Sequence, residues 1–170
     1  MSNKFKKKEA NPVVVNCIYW NTRGLGDGFK RHLTLEQLEE LGKSEVTLLS
    51  ETKCKTKLEI VGKQTFQTQL SGTNGVVAIY NSPNAKKIKA INENLLWSSC
   101  RHDGALVHYF TIYIPPNNKE IADLTLRQLQ WHLKDIFSID KDSLVVVTGD
   151  FNIVGMKKSD FLEREFKLTP

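Results

Sequence analysis

Two periodicities alternate along the chain. Residues 13–20, "VVVNCIYW", form a near-continuous apolar run broken by Asn16, and 45–50, "EVTLLS", form a shorter one. Such runs predict strands covered on both faces. Between them, "LTLEQLEELG" (33–42) places Leu35, Leu38 and Leu41 on one helical face, with a capping-box spacing from Thr34 to Gln37 and Gly42 placed to end the helix. The middle is β-rich, with strands expected over 74–81, 86–91, 93–100 and 105–114. The 86–91 segment, "KKIKAI", alternates and suits an edge. "RHDG" (101–104) carries the Asp-Gly turn signal of a hairpin. Pro115 and Pro116 end the long strand. Leu126, Leu129, Leu133 and Ile136 predict a helix over 119–137, with a cap-like spacing from Asn117 to Glu120. A strand over 144–149 follows, and "SDFLEREF" (159–166) suits a short helix.

This order predicts an α/β domain: one mixed, mainly antiparallel sheet with flanking helices. The doubly buried strands 13–20, 105–114 and 144–149 stand at its centre. The two good helices suffice for one face. The other is expected to be uncovered, so that an apolar patch would drive self-association.

Each of these strands ends on polar residues. Asn21 follows the first, Glu51 follows 45–50, and Asp150 and Asn152 follow "VVVTG". Tyr113 closes the long strand, with Asn117 just beyond it. Gathered on one edge, these groups would offer two carboxylates, several amides and a phenol. Carboxylate and amide oxygens suit a hard cation such as Mg²⁺, and the amide donors with the cation suit phosphate oxygens. The same residue types are also favoured in turns, where they bond their own backbone.

The 170 residues suit one domain, with 25% charged residues and 40% hydrophobic. Of the net charge of +5, residues 1–10 supply +3 through Lys4, Lys6, Lys7 and Lys8 against Glu9. Residues 1–11 read as a basic disordered tail ahead of a domain over 12–170. No apolar run reaches membrane-spanning length, and none resembles a secretory signal. The expectation is an intracellular protein, nuclear or cytoplasmic, without a membrane partner. Cys17, Cys54 and Cys100 form no C-x-x-C pair and read as reduced thiols, with Cys17 in the core. The four histidines show no zinc-ligand spacing. "GLGDG" (24–28) lacks a phosphate-loop ending and reads as a turn. Trp20, Trp97 and Trp131 read as packing residues, His102 and His108 as structural, and Lys53, Lys55 and Lys57 as a solvated loop.

Five blocks occur in order: "YWNTRGLG" (19–26), "LLSETKCKTKL" (48–58), "NGVVAIY" (74–80), "TIYIPPNN" (111–118) and "VVVTGDFNI" (145–153). Together they resemble the endonuclease/exonuclease/phosphatase superfamily, the fold of apurinic endonucleases and DNase I. "WN-x-RGLG" is most similar to the endonuclease domain of LINE-type, non-LTR retrotransposons. The resemblance implies the N-terminal portion of a two-sheet α/β sandwich and Mg²⁺-dependent hydrolysis of DNA phosphodiesters, with Mn²⁺ as an alternative ion. It implies that Glu51 ligates the metal, Asp150 orients or deprotonates the attacking water, and Asn152 binds the phosphate or that water. By the same resemblance Tyr113 meets the scissile phosphate, Asn21 positions the site, and Asn117 and Arg23 contact substrate. Pro116 is an extra residue that shifts Asn117 by one. Arg23 stands where some relatives carry a carboxylate. The closing Ser-Asp-His motif is missing, because no histidine follows His132. The expectation is therefore a truncated domain, inactive or weak by itself. The alternatives are a non-catalytic remnant that binds nucleic acid, or a phosphatase of the same superfamily.

Overall fold

A computed structural model describes residues 13–25, 36–37, 44–69 and 73–152. The expected basic tail (1–11) and the short helix at 159–166 lie outside the described residues, as does most of the helix at 33–42. In chain order the strands are β1 (Cys17–Asn21), β2 (Val46–Ser50), β3 (Gln64–Gln67), β4 (Val76–Tyr80), β5 (Lys86–Asn92), β6 (Leu95–His102) and β7 (Ala105–Tyr113). Helix α1 (Lys119–Ile139) and strand β8 (Leu144–Asp150) follow.

The strands make two sheets rather than the single one expected. One has the order β1-β2-β4-β3 and the other β5-β6-β7-β8. In each, one parallel pair (β1 with β2, β7 with β8) joins a mainly antiparallel ladder. The sheets pack face to face. Period-2 alternation sends Val46, Leu48, Val76, Ala78 and Tyr80 of the first sheet inward, against Leu96, Cys100, Val107 and Tyr109 of the second. The opposite residues point outward. Leu49, Val77 and Ile79 meet Leu25, Cys54 and Leu58, whereas Phe110 and Ile112 meet Leu129, Leu133 and Ile136 of α1.

This corrects two expectations. The uncovered face is not found among the described residues, because each sheet covers the other. The strands read as most central are also not all central. β2 and β4 are buried throughout, but β1 and β8 are half-exposed edges. An apolar run records contact on both faces of a strand and says nothing about whether both backbone edges are paired. Cys17, expected in the core, is exposed for the same reason.

β3 was not expected, since "QTFQ" lacks an apolar run; it is a short polar edge strand beside β4. The Asp-Gly signal does form the β6–β7 turn, with Asp103 and Gly104 at φ of 49° and 86°. The α1 cap lies one residue later than the expected Asn117. The Asn118 side chain accepts from the Ile121 backbone N–H at 3.0 Å. The Pro115–Pro116 pair carries the turn one residue further before the helix begins.

Candidate active site at the shared end of the two sheets

The inward alternation that builds the core also builds the site. Tyr19 and Asn21 on β1, Ser50 on β2, Tyr113 on β7 and Asp150 on β8 continue the inward-facing registers to one end of the sandwich. Asn21 is opposite Ser50 in one sheet, and Tyr113 is opposite Asp150 in the other. The two sheets are tied here by the Asn21 Nδ2–H, which donates to Asp150 Oδ2 at 2.7 Å. Asn21 Oδ1 accepts from the Arg23 backbone N–H at 2.9 Å, and Asp150 Oδ1 accepts from the Asn152 N–H at 3.2 Å. Each residue therefore closes its own turn with one side-chain atom and reaches the other sheet with the second.

Glu51 lies one residue past β2 with φ of 52°, in the left-handed region. Arg23, Lys53 and Asn152 share this conformation, with φ of 50°, 51° and 42°. Of the described non-glycine residues with positive φ, the remaining one is the hairpin's Asp103. Each such residue costs on the order of 1–3 kcal/mol, and it persists where surrounding contacts over-determine it. Here the contacts are main-chain bonds. Gly24 N–H donates to Glu51 O at 2.6 Å, Leu25 N–H to Thr52 O at 2.7 Å, and Lys53 N–H to Asn74 O at 2.8 Å.

Gly149 has a steric reason. Its φ is 154°, and a β-carbon there would run into the Ile112 carbonyl of β7. Close approach of β8 to β7 at this point allows the Ile114 N–H to donate to Asp150 O at 2.8 Å. Asn152 Nδ2–H then donates to Ile114 O at 3.1 Å.

Tyr113 is buried, and among the described residues nothing takes its hydroxyl in a hydrogen bond. Burial, then the Glu51 and Asp150 carboxylates and Tyr19, hold its phenol above the ordinary value of 10. Both carboxylates thus lie near enough for their charges to act on the Tyr113 phenol. Tyr19 was missed as a site residue. Its hydroxyl shares a 2.7 Å hydrogen bond with Ser50 Oγ. Its phenol is raised by burial first, against the lowering effect of the Ser50 bond, and further by Asp150 and Glu51. The available signal was parity: Tyr19 is two residues before Asn21 and shares its face.

Lys53 also departs from the sequence reading. Rather than standing in a solvated loop, its Nζ pairs with Glu51 Oε1 at 2.8 Å. An ammonium thus sits at the oxygen where a hard cation would bind. The oxygens of Glu51, Asp150 and Asn21 are of the hard type that suits a divalent cation. Among the described residues no group of three or more His, Cys, Asp or Glu side chains is placed to hold a metal. A cation here would rest on one or two carboxylates.

Asn117 and Arg23 lie at the rim, both exposed. Asn117 lines a cleft shared with Asn152. The structure thus brings Asn21, Glu51, Tyr113, Asp150 and Asn152 to one end, with Arg23 and Asn117 at the margin. His102 and His108 are away from it. His102 bridges Glu45 and Tyr109, each at 2.7 Å, and His108 Nδ1 accepts from the Trp97 indole at 3.2 Å. Trp97 stacks on Phe110 as a packing residue, whereas Trp131 is 62% exposed on the outside of α1.

Residues 18–157 match the Endonuclease/Exonuclease/phosphatase family. The chain belongs to this family. Solved structures share its fold. The humanized TDP2 of D. rerio superposes with a TM-score of 0.59 at 19% identity, covering 82% of this chain and 66% of that one. The AP endonuclease of Archaeoglobus fulgidus gives 0.56 at 17%, covering 91% and 69%. The human Nocturnin catalytic domain gives 0.62 at 14%, covering 90% and 70%. The chain thus spans about two thirds of the length of these structures. No match is found among curated protein sequences.

Proposed function

We propose that the shared end of the two sheets is a Mg²⁺-dependent phosphodiesterase site acting on DNA, of the retrotransposon endonuclease type. The observation that carries this reading is the Asn21–Asp150 hydrogen bond of 2.7 Å, which sets Asp150 on the same edge as Glu51 and Tyr113. Family membership supports hydrolysis of a phosphate ester, and the AP endonuclease among the structural neighbours supports DNA as the substrate class. The "WNTRGLG" segment, 20–26, supports the retrotransposon type.

Glu51 and Asp150 would hold the cation, with Mn²⁺ as an alternative to Mg²⁺. Once bound, the ion supplies positive charge against the developing charge on the phosphate. The chain's own residues do the rest. Asn21 holds Asp150 by Oδ2, fixing the carboxylate that receives a proton from the attacking water. Tyr113, kept protonated by burial and by its acidic neighbours, donates its O–H to a phosphate oxygen. Asn152 and Asn117 line the approach, and Arg23 meets the phosphate chain at the exposed rim. Electrostatic groups of this kind are each worth about 10²–10³ in rate.

The test is nicking of supercoiled plasmid with Mg²⁺, run beside Glu51→Ala and Asp150→Ala. Nicking lost in both variants supports the reading; nicking unchanged in both assigns it to another site or a contaminant. The alternative is nucleic-acid binding without cleavage. It predicts Mg²⁺-dependent retention of DNA in gel shift with no nicked product. Phosphatase action on a smaller ester is the further alternative within the family. The expected self-association through an uncovered sheet face loses its basis among the described residues, because each sheet covers the other. Localisation inside the cell stays part of the proposal.

A further inference from the structure

Beside the strand tips lies an open cleft of about 500 Å³ between the β7–α1 connection and Asn152. Its volume falls within the range of small-molecule sites, about 300–1,000 Å³. Ile114, Pro115, Pro116 and Leu126 give it apolar walls. Its polar groups are the amides of Asn117, Asn118 and Asn152, the Lys119 ammonium and the Asp123 carboxylate. The Asn118 oxygen is occupied by the Ile121 N–H, and the Asn152 amide donates to Ile114 O. Among the described residues no hydrogen bond or ion pair engages the side chains of Asn117 or Asp123.

This lining does not suit a second phosphate. Asp123 offsets both the charge of Lys119 and the attraction of the α1 N-terminus for an anion. A flat heterocycle suits it better. Extruded bases are held between apolar side chains and read through hydrogen bonds along their edges. A carboxylate accepts from an exocyclic amino group, as Asp or Glu does from cytosine N4. An amide such as Asn117 both donates and accepts. Pro116, the extra residue of the connection, forms part of the wall.

We propose that this cleft holds the base of the nucleotide next to the scissile phosphate, and that Asp123 selects bases carrying an exocyclic amino group. Its place next to the scissile phosphate rests on the nuclease reading above; the base preference does not.

The experiment follows backbone amide shifts of the full chain by NMR during titration with dCMP, dTMP and inorganic phosphate, without metal. The expected result is that dCMP moves Lys119, Ala122 and Asp123, with an apparent Kd about ten-fold below that for dTMP, the lower end for a hydrogen bond to a charged carboxylate. Asp123→Ala, at an exposed position, equalises the two nucleotides. Ala122→Phe fills the cleft and removes both responses. Glu51→Ala, outside the cleft lining, keeps the dCMP response while losing any nicking, so failure of the nuclease reading is seen separately. Shifts equal for dCMP and dTMP, shifts reproduced by inorganic phosphate, or a dCMP preference surviving Asp123→Ala would each overturn the proposal.

Discussion

Asn21 and Asp150 stand 129 residues apart in sequence and are joined by a 2.7 Å hydrogen bond that ties β1 of one sheet to β8 of the other. Both strands are edges of their sheets. The bond closes one end of the sandwich and, in the proposed site, orients the Asp150 carboxylate. Removing it by Asn21→Ala leaves a partly buried carboxylate with one partner fewer. Hydrogen bonds to charged groups are worth about 1.5–3 kcal/mol, and partial exposure places this one near the lower value. Urea denaturation is expected to show a loss of about 1.5 kcal/mol, with any nicking reduced as well.

Gly149 and Gly62 make a matched pair. Both have positive φ, 154° and 75°. A β-carbon at Gly62 meets nothing within 4 Å, whereas at Gly149 it collides with Ile112. Gly62→Ala should cost about 1 kcal/mol from conformation alone. Gly149→Ala should cost about 3 kcal/mol or more, because β8 must separate from β7. Thermal unfolding of the two variants followed by circular dichroism reads the difference.

Lys53 competes with any cation at Glu51. Its ion pair is half-exposed, and such pairs are worth at most about 1 kcal/mol. Lys53→Met should then tighten Mg²⁺ binding about two- to five-fold in calorimetric titration. Weakened binding in this variant would mean that Lys53 supports the cation site instead of occupying it.

Two histidines on the outer side of the second sheet set an acid limit. Burial lowers His108, with Asp140 acting the other way. Burial lowers His132, reinforced by Lys89 and opposed by Asp135. The folded state thus prefers both rings neutral, and His108 needs its Nδ1 lone pair to accept from Trp97. Below the unfolded value of about 6.5 the unfolded chain binds more protons than the folded one. Stability is present above that pH and is lost as pH falls through 6.5 toward the lowered folded values. Melting temperature should fall between pH 7 and pH 5, less steeply in His108→Gln. A flat profile would contradict the neutral assignment.

Much of this was legible in the sequence where contact is local. The Asp103–Gly104 turn, the helical period of Leu126, Leu129, Leu133 and Ile136, and the polar tips of the strands follow from neighbours a few residues apart. The expected site residues sit at one end because alternation and strand register place them there. What was not legible depends on pairing between distant segments. The β1 and β8 runs read as central because their side chains are apolar, yet among the described residues each pairs with a strand on one side alone. β3 has no apolar run and is recruited by the open side of β4. The left-handed backbones of Glu51 and Lys53, and the pairing of their side chains, come from bonds to segments 24–25 and 74–75, which no local pattern encodes.

The central claim is that Glu51 and Asp150 together hold one divalent ion. Water-proton relaxation during Mn²⁺ titration measures it directly, on the wild-type chain, Glu51→Ala, Asp150→Ala and a distant exposed control, Asp142→Ala. The account predicts a single site in the wild type and the control, weakened at least about ten-fold in both site variants. Mn²⁺ binding that survives either site substitution unchanged would contradict it.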